Sequence, residues 1–186
     1  MSFNEKGYEV VRNAISLELA NFITTELHML ENVYRTSENI PSDAVFNDEL
    51  CEGFYWYGAY ATESLLTTLQ PTIERVVGKQ LFPTYSYFRR YKNNASMKKH
   101  TDRPECEYSI TLTLSVDPKP WDIEMDGTPV SLDVGDACIY AGTHVEHERK
   151  IYHGNEQLQV FLHYVDVNGE YAHRKYDGRP QLGMMY

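Results

Sequence analysis

The sequence has no long apolar run and no leader-like start. No stretch of the 186-residue chain approaches the roughly 20 apolar residues that a membrane-spanning helix needs. The first residues, Met1 to Lys6, lack the apolar centre of a secretion signal. We therefore expect a soluble, cytoplasmic protein with no membrane partner.

Cysteine is scarce, and its positions follow no metal-finger or disulfide pattern. The three cysteines, Cys51, Cys106 and Cys138, are widely separated, and no two of them form a CxxC pair. This spacing argues against a zinc finger and against a disulfide framework. We expect reduced thiols, with Cys106 and Cys138 as small buried residues rather than nucleophiles, because no Cys-His catalytic arrangement is evident.

Basic residues are outnumbered by acidic ones. The chain carries 17 lysines and arginines against 27 acidic residues, and its formal net charge is −10. A protein of this charge repels the phosphates of nucleic acids and of anionic membranes. We therefore expect no nucleic-acid partner.

Aromatic and apolar residues, in contrast, are plentiful. Hydrophobic residues make up 42% of the chain and aromatic residues 13%, with 15 tyrosines, which favours strands and lined pockets over a helical bundle. The length fits one domain. We predict a single domain over residues 1–186, with a helical cover at 1–80, a β-rich core at 81–168 and a C-terminal tail at 169–186.

Helical signals lie in the first half of the chain. Ser16 is a suitable N-cap for a helix that runs to about Tyr34, because the apolar residues that follow it lie close to helical spacing. A second helical segment covers residues 61–77. We expect Pro71 to divide this segment and Gly78 to end it.

Three other stretches of the first half are not helical. Residues 8–12 predict a short strand, and the polar residues 35–50 predict a loop. The aromatic stretch 54–60 is expected to pack against the sheet, with a place at a substrate entrance as the alternative.

Strand signals dominate the second half. Residues 84–91 are rich in β-forming side chains, and residues 108–115 alternate apolar and hydroxyl side chains. Asp126-Gly127 predicts a hairpin, and residues 137–141 and 158–165 predict further strands. These patterns indicate an α+β, mainly β fold: a jelly-roll or cupin-like barrel with the N-terminal helices packed on one outer face.

The pattern with the most chemical content is His100-Thr101-Asp102. An imidazole and a carboxylate one residue apart on an extended strand point to the same face, so they can hold a divalent metal from two corners. A second histidine from a distant strand would complete a facial triad and leave three positions open for substrates.

Three histidines are candidates for the third ligand. His144 and His147 lie an odd number of residues apart, so only one of them can face the interior of the barrel unless a bulge intervenes. A strand that begins at the turn Gly135-Asp136 favours His147, with His144 second and His153 third.

The chain resembles the iron(II)- and 2-oxoglutarate-dependent dioxygenases, specifically the prolyl-hydroxylase-like group with a double-stranded β-helix core and its bacterial and phage members. Four features in the order of that family carry the resemblance: the strand 84–91, His100-Thr101-Asp102, Gly135-Asp136 with a strand after it, and His147 followed by the strand 158–165.

The resemblance implies a metal centre and an oxidative reaction. His100, Asp102 and His147 would bind Fe(II), with 2-oxoglutarate as cosubstrate, dioxygen as oxidant and ascorbate as a further candidate cofactor. The expected outcome is hydroxylation of a protein side chain, such as a prolyl residue, or of a small molecule. The remaining alternatives are a cupin-type metalloenzyme that does not use 2-oxoglutarate and a non-catalytic β-barrel interaction module.

One departure from the family concerns the far carboxylate of 2-oxoglutarate. Family members commonly carry a basic residue about ten positions after the distal histidine, whereas residues 155–159 contain neither Arg nor Lys. A buried dianion needs a cation, so one must come from elsewhere. Arg149 is the first candidate because it shares a strand face with His147, although an ion pair with Glu146 or Glu148 is the competing interpretation.

Several other residues are candidates for lining this predicted site. The further cationic candidates are Arg103, Lys99 and Arg89, and the candidate hydrogen-bonding residues are Tyr91, Ser109, Gln157 and Gln159. Phe161 and His163 share a strand face with the two glutamines and are expected to line the pocket or to belong to the core.

Overall fold

The computed structural model describes residues 3–36 and 53–184. Its helices are α1 (Phe3–Lys6), α2 (Leu17–Thr36) and α3 (Tyr60–Val77), with 3₁₀ segments at Pro104–Cys106 and Ala172–Gly178. Its strands are β1 (Tyr8–Val11), β2 (Tyr55–Tyr57), β3 (Leu81–Lys92), β4 (Met97–His100), β5 (Tyr108–Asp117), β6 (Ile123–Met125), β7 (Thr128–Val130), β8 (Ala137–Tyr140), β9 (His147–Arg149) and β10 (Glu156–Asp166).

The strands form two antiparallel sheets. The major sheet has six strands in the order β1-β8-β5-β10-β3-β2, and the minor sheet has four in the order β4-β9-β6-β7. The sheets face each other, since Tyr140 of β8 packs edge-on against His147 of β9 with 4.9 Å between ring centroids. The predicted mainly β, jelly-roll-like architecture is confirmed.

The alternation along β10 explains why the major sheet has one apolar and one polar face. Leu158, Val160 and Leu162 belong to the apolar core together with residues of α2 and α3. Gln157 and Gln159 are equally buried but point to the opposite face, towards the minor sheet. The helices therefore cover one face, as predicted, and the polar face is left as the lining of the barrel.

Helix α3 is continuous through Pro71, and the expected division there is wrong. Pro71 is exposed, whereas Leu69 and Ile73 on either side of it are buried against the sheet. The packing of this apolar face outweighs the roughly 3 kcal/mol that an internal proline costs a helix. Gly78 ends the helix as predicted, with a left-handed φ of 74° and its N–H donating to Glu74 O at 2.8 Å.

The N-terminal 80 residues are not purely a helical cover. Strand β1 pairs with β8, and β2 pairs with β3, so both add to the edges of the major sheet. Strand β2 lies within the aromatic stretch 54–60, which packs against the sheet as expected. Most of the predicted loop 35–50 lies outside the described residues.

Helix α2 begins where the sequence predicts. The hydroxyl of Ser16 accepts the N–H of Leu19 at 3.2 Å, which satisfies a free donor of the first turn.

In the described part of the chain, no helix has the length and apolar character needed to cross a membrane.

A buried ion pair ties the C-terminal segment to α3. The Arg179 guanidinium donates to Glu63 Oε1 at 2.7 Å and to Thr84 O at 3.1 Å, and it lies 4.9 Å from the ring centroid of Tyr57. Both charged side chains are almost completely buried. Arg179 therefore anchors the C-terminal segment to α3 and β3.

We expect Arg179→Met to reduce the free energy of unfolding by about 3–5 kcal/mol, because Glu63 is then left as an uncompensated buried charge. Urea denaturation measures this loss. The double variant Glu63→Leu/Arg179→Met should recover part of it, and a loss below about 1 kcal/mol for the single variant would show that the pair is not structurally important.

Candidate metal centre

His100 and His147 are brought together by strand pairing. In the antiparallel ladder between β4 and β9, the two residues lie directly opposite each other. Their side chains lie on one face, and the ring centroids are 4.4 Å apart. Residues separated widely in sequence therefore form the two imidazole corners of one site.

The backbone sets the tautomer of both rings. His100 Nδ1 lies 2.7 Å from the carbonyl oxygen of Lys98, and His147 Nδ1 lies 3.0 Å from that of Val145. A carbonyl only accepts, so each Nδ1 carries a hydrogen, and in the neutral ring it is Nε2 that presents the lone pair. These Nε2 atoms point to one carboxylate oxygen, Asp102 Oδ1, at 3.6 Å and 3.4 Å respectively.

Asp102 lies just beyond the end of β4 rather than on the strand, so strand parity is not what orients it. Its position is set by its own N–H, which donates to Gly142 O at 2.8 Å. A Cβ on Gly142 would lie 2.5 Å from Asp102 Oδ2 and 2.2 Å from Cys106 O. Only glycine allows this close approach, and in the part of the chain that the structure describes Asp102 Oδ2 is buried with no hydrogen-bond partner.

The local charges keep the carboxylate ionised. Burial would raise the pKa of Asp102, but the adjacent imidazoles of His100 and His147 outweigh it, and the pKa lies well below its usual range. The same contact with Asp102 raises the pKa of His100. Two ring nitrogens and one anionic oxygen thus converge at one point, and both nitrogens can bind a metal once the rings are neutral.

The other candidate histidines lie elsewhere. His144 is exposed, with Nδ1 at 2.9 Å from the hydroxyl of Thr143, and His153 is exposed on a separate surface cleft. His147, in contrast, is only 3% exposed. The structure brings together His100, Asp102 and His147, the three residues that the sequence analysis grouped.

Arg149 is a buried cation two residues from His147 on the same face of β9. It is 2% exposed, its Nη1 donates to Trp121 O, and its guanidinium lies 4.9 Å from the Trp121 ring centroid. Within residues 3–36 and 53–184, its buried Nε and Nη2 have no hydrogen-bond partner and no carboxylate pairs with it. Burial lowers the pKa of Arg149. The competing interpretation, an ion pair with Glu146 or Glu148, is therefore not what the structure shows.

A short hydrogen-bond chain holds Arg149 in place. Gln157 Oε1 accepts the N–H of Trp121 at 2.9 Å, and the Gln157 amide donates to Gln159 Oε1 at 3.1 Å. Gln159 in turn donates to Thr111 Oγ1 at 2.8 Å. Gln157 and Gln159 therefore line the barrel and position Trp121, whose carbonyl holds the guanidinium.

The remaining cationic candidates do not enter the barrel in this way. The side chain of Arg103 is more than half exposed, lies over the Tyr85 ring and has Asp177 and Glu105 within 4 Å. Lys99 is exposed beside Glu146. Arg89 lies against the rings of Tyr55 and Tyr91 on β3. Arg149 is thus the cation most completely enclosed beside the His-Asp-His set.

The polar residues Tyr91, Ser109 and His163 lie on the inner face of the major sheet. Tyr91 packs edge-on against Trp121, with 5.1 Å between ring centroids. Ser109 Oγ lies 2.8 Å from His163 Nδ1, and burial lowers the pKa of His163 to about 4. Phe161 is buried and stacked on Tyr87. His163 and Phe161 therefore line the barrel interior.

Sequence reasoning missed Gly142, Trp121 and Tyr140. No local pattern marks Trp121, which lies in a proline-containing loop, or Gly142, whose need for a missing side chain arises from a distant segment. Tyr140 could have been found, since it ends a predicted strand and its alternation places it inside the barrel.

Comparison with known proteins adds a fold assignment. No protein-family model matches the chain, and no curated protein matches it by sequence. Solved structures do match: the epimerase SnoN in complex with Fe3+, alpha ketoglutarate and nogalamycin RO has a TM-score of 0.72 at 12% identity, over 98% of this chain and 89% of that chain.

Two further structures are similar. HygX from Streptomyces hygroscopicus, with nickel and 2-oxoglutarate bound, has a TM-score of 0.67 at 12% identity, over 89% of this chain and 85% of its own. A Pseudomonas putida prolyl-4-hydroxylase has a TM-score of 0.64 at 16% identity, over 88% and 95% respectively. The chain has the double-stranded β-helix fold of the iron- and 2-oxoglutarate-dependent oxygenases.

Proposed function

We propose that the protein is an Fe(II)- and 2-oxoglutarate-dependent dioxygenase that acts as a hydroxylase. The observation that carries this proposal is the juxtaposition of a two-histidine, one-carboxylate set with a buried, incompletely paired arginine on the same strand face. The similar structures with bound iron or nickel and 2-oxoglutarate support the same pairing of metal and cosubstrate.

The residues fit a divalent iron ion. Two neutral imidazoles and one carboxylate form the donor set of non-haem Fe(II) oxygenases and leave positions open for other ligands. The Nε2 lone pairs of His100 and His147 converge on Asp102, and the backbone carbonyls behind each Nδ1 act as the outer partners that orient metal-binding histidines. The unpartnered Asp102 Oδ2 is a further acceptor without a protein donor.

Arg149 fits the far carboxylate of 2-oxoglutarate. Residues two apart on a strand are separated by about 7 Å, which suits a five-carbon dicarboxylate whose other end chelates a metal at His147. The free Nε and Nη2 of Arg149 are donors in the forked geometry that binds a carboxylate. In a metalloenzyme that does not use 2-oxoglutarate, or in a binding module without a metal, this buried cation would have no anionic ligand to bind.

When bound, iron with 2-oxoglutarate supplies the oxidising chemistry, in which dioxygen is consumed and the cosubstrate is converted to succinate and carbon dioxide. The chain's own residues bind, orient and exclude water. Tyr140 covers one side of His147, and Trp121 covers the guanidinium of Arg149. The side chain of His100 is 42% exposed, so a substrate reaches the centre from this side.

The substrate is a protein side chain, such as a prolyl residue, or a small molecule. A prolyl-4-hydroxylase and a HygX complex containing hygromycin B are both among the similar structures. Release of succinate above the substrate-free rate, measured with a proline-rich peptide and with hygromycin B, separates the two classes.

We expect Fe(II) and 2-oxoglutarate, added under anaerobic conditions, to give a visible metal-to-cosubstrate charge-transfer band. His100→Ala and Asp102→Ala should abolish both this band and substrate-independent release of succinate, since each removes a metal ligand. His144→Ala is the matched control and should keep both. A normal band in either ligand variant would show that the metal lies elsewhere.

We expect Arg149→Gln to weaken 2-oxoglutarate binding roughly 10- to 100-fold, because hydrogen bonds from a charged donor to a carboxylate are lost. Titration of the charge-transfer band measures this affinity, and Arg103→Gln is the control that should leave it unchanged. Wild type should discriminate strongly against 2-oxo acids that lack the far carboxylate, whereas Arg149→Gln should not. Equal affinity in wild type and Arg149→Gln would exclude Arg149 as the anchor.

We expect Gly142→Ala to weaken metal binding, because the new methyl group must displace Asp102 or the Cys106 carbonyl. Mn(II) binding, followed by electron paramagnetic resonance, measures the effect independently of turnover. Thr143→Ala is the neighbouring control and should bind Mn(II) as wild type does. Unchanged affinity in Gly142→Ala would mean that the tight approach to Asp102 does not position the carboxylate.

A further inference from the structure

A second group of metal-ligating atoms shares Asp102 with the His100-Asp102-His147 set. A carboxylate oxygen of Asp102, the sulfur of Cys106 and a ring nitrogen of His163 all lie within 4.8 Å of one another. Cys106 ends the 3₁₀ segment after Asp102, and His163 comes from β10 in the major sheet. The proposed iron centre uses neither of these two side chains.

His163 presents an unpartnered nitrogen to this group. The ring is 2% exposed, and its Nε2 is buried with no hydrogen-bond partner among the described residues. The hydroxyl of Ser109 donates to Cys106 O at 3.2 Å, so it accepts from His163 Nδ1–H at 2.8 Å. The Nε2 atom therefore carries a lone pair, as a metal ligand must.

Cys106 is equally enclosed and contacts the hydroxyl of Tyr85. Its Sγ lies 3.1 Å from the hydroxyl of Tyr85, whose ring is in turn packed against His163 at 4.6 Å between centroids. A tyrosine hydroxyl in this position can donate to a thiolate. Its sulfur is thus placed beside a neutral imidazole and a carboxylate, with a donor available for the charge that develops on deprotonation.

We propose that Asp102, Cys106 and His163 form a second metal site that takes a thiophilic divalent ion of the zinc class. A nitrogen, sulfur and oxygen donor set suits zinc and cobalt, because thiolate ligands favour softer ions than the His-Asp-His set does. Binding replaces the Cys106 S–H bond by a sulfur–metal bond and releases the proton to solvent, with no change of oxidation state.

Because Asp102 is common to both sets, an ion at the second site competes with iron for the same carboxylate. Zinc bound at the second site would then inhibit the protein without taking the place of iron. This inhibitory consequence rests on the proposed oxygenase function, whereas binding at the second site does not.

The test uses Co(II) added to the metal-free full-length protein under anaerobic conditions, without 2-oxoglutarate. We expect a near-ultraviolet thiolate-to-cobalt charge-transfer band, which the iron set cannot give because it has no sulfur. Cys106→Ser and His163→Gln should each lose the band while retaining the far-ultraviolet circular dichroism of wild type. His100→Ala should keep it.

Matched cysteine controls identify the sulfur. Cys138→Ser and Cys51→Ser should keep the cobalt band, since the proposed group takes its one sulfur from Cys106. Absence of the band in wild type, or its loss in either control rather than in Cys106→Ser, would overturn the second site. If His100→Ala shows the cobalt band but wild type gives no iron–2-oxoglutarate band, the oxygenase function is overturned and the second site stands.

Zinc inhibition gives an independent readout. With each variant's activity expressed relative to its own zinc-free rate, Cys106→Ser should require about tenfold more Zn(II) than wild type for half-inhibition, because a ligand has been lost. Equal zinc sensitivity would show that zinc acts only by replacing iron.

Discussion

The pairing of β4 with β9 is the interaction on which the proposed chemistry depends. It places His100 opposite His147, and the backbone carbonyls of the same two segments hold both rings with Nε2 turned to Asp102. Asp102 is attached from the other side through Gly142, where no side chain could fit. A slip of one residue in this register would separate the two imidazoles and turn one of them outwards.

In the proposed function, the buried guanidinium of Arg149 determines which way 2-oxoglutarate lies at the site. Removing a cation from water is costly unless an anion accompanies it, and Trp121 meets only part of its hydrogen-bonding capacity. Gln157, which occupies the position where the family commonly has a basic residue, is instead used to hold Trp121. In the proposed function Arg149, on β9 of the minor sheet, takes the cationic role.

Structural features that local sequence patterns determine are predicted correctly, whereas features that depend on contacts between distant residues are missed. The alternation at 108–115 and the Asp126-Gly127 turn identify strands and a hairpin because local chemistry decides them. Strands β4 and β9 are too short for a periodic signal, and the continuity of α3 at Pro71 follows from packing alone. Strand parity and position in the sequence favour His147 over His144, whereas no local sequence pattern predicts the place of Trp121.

A crystal structure with Mn(II) and an oxalyl-type mimic of 2-oxoglutarate tests the central claim most directly. The account predicts manganese within bonding distance of Nε2 of His100, Nε2 of His147 and the Asp102 carboxylate, with the far carboxylate of the mimic on the guanidinium of Arg149. Manganese bound away from these three side chains, or a far carboxylate held by another cation, would contradict it.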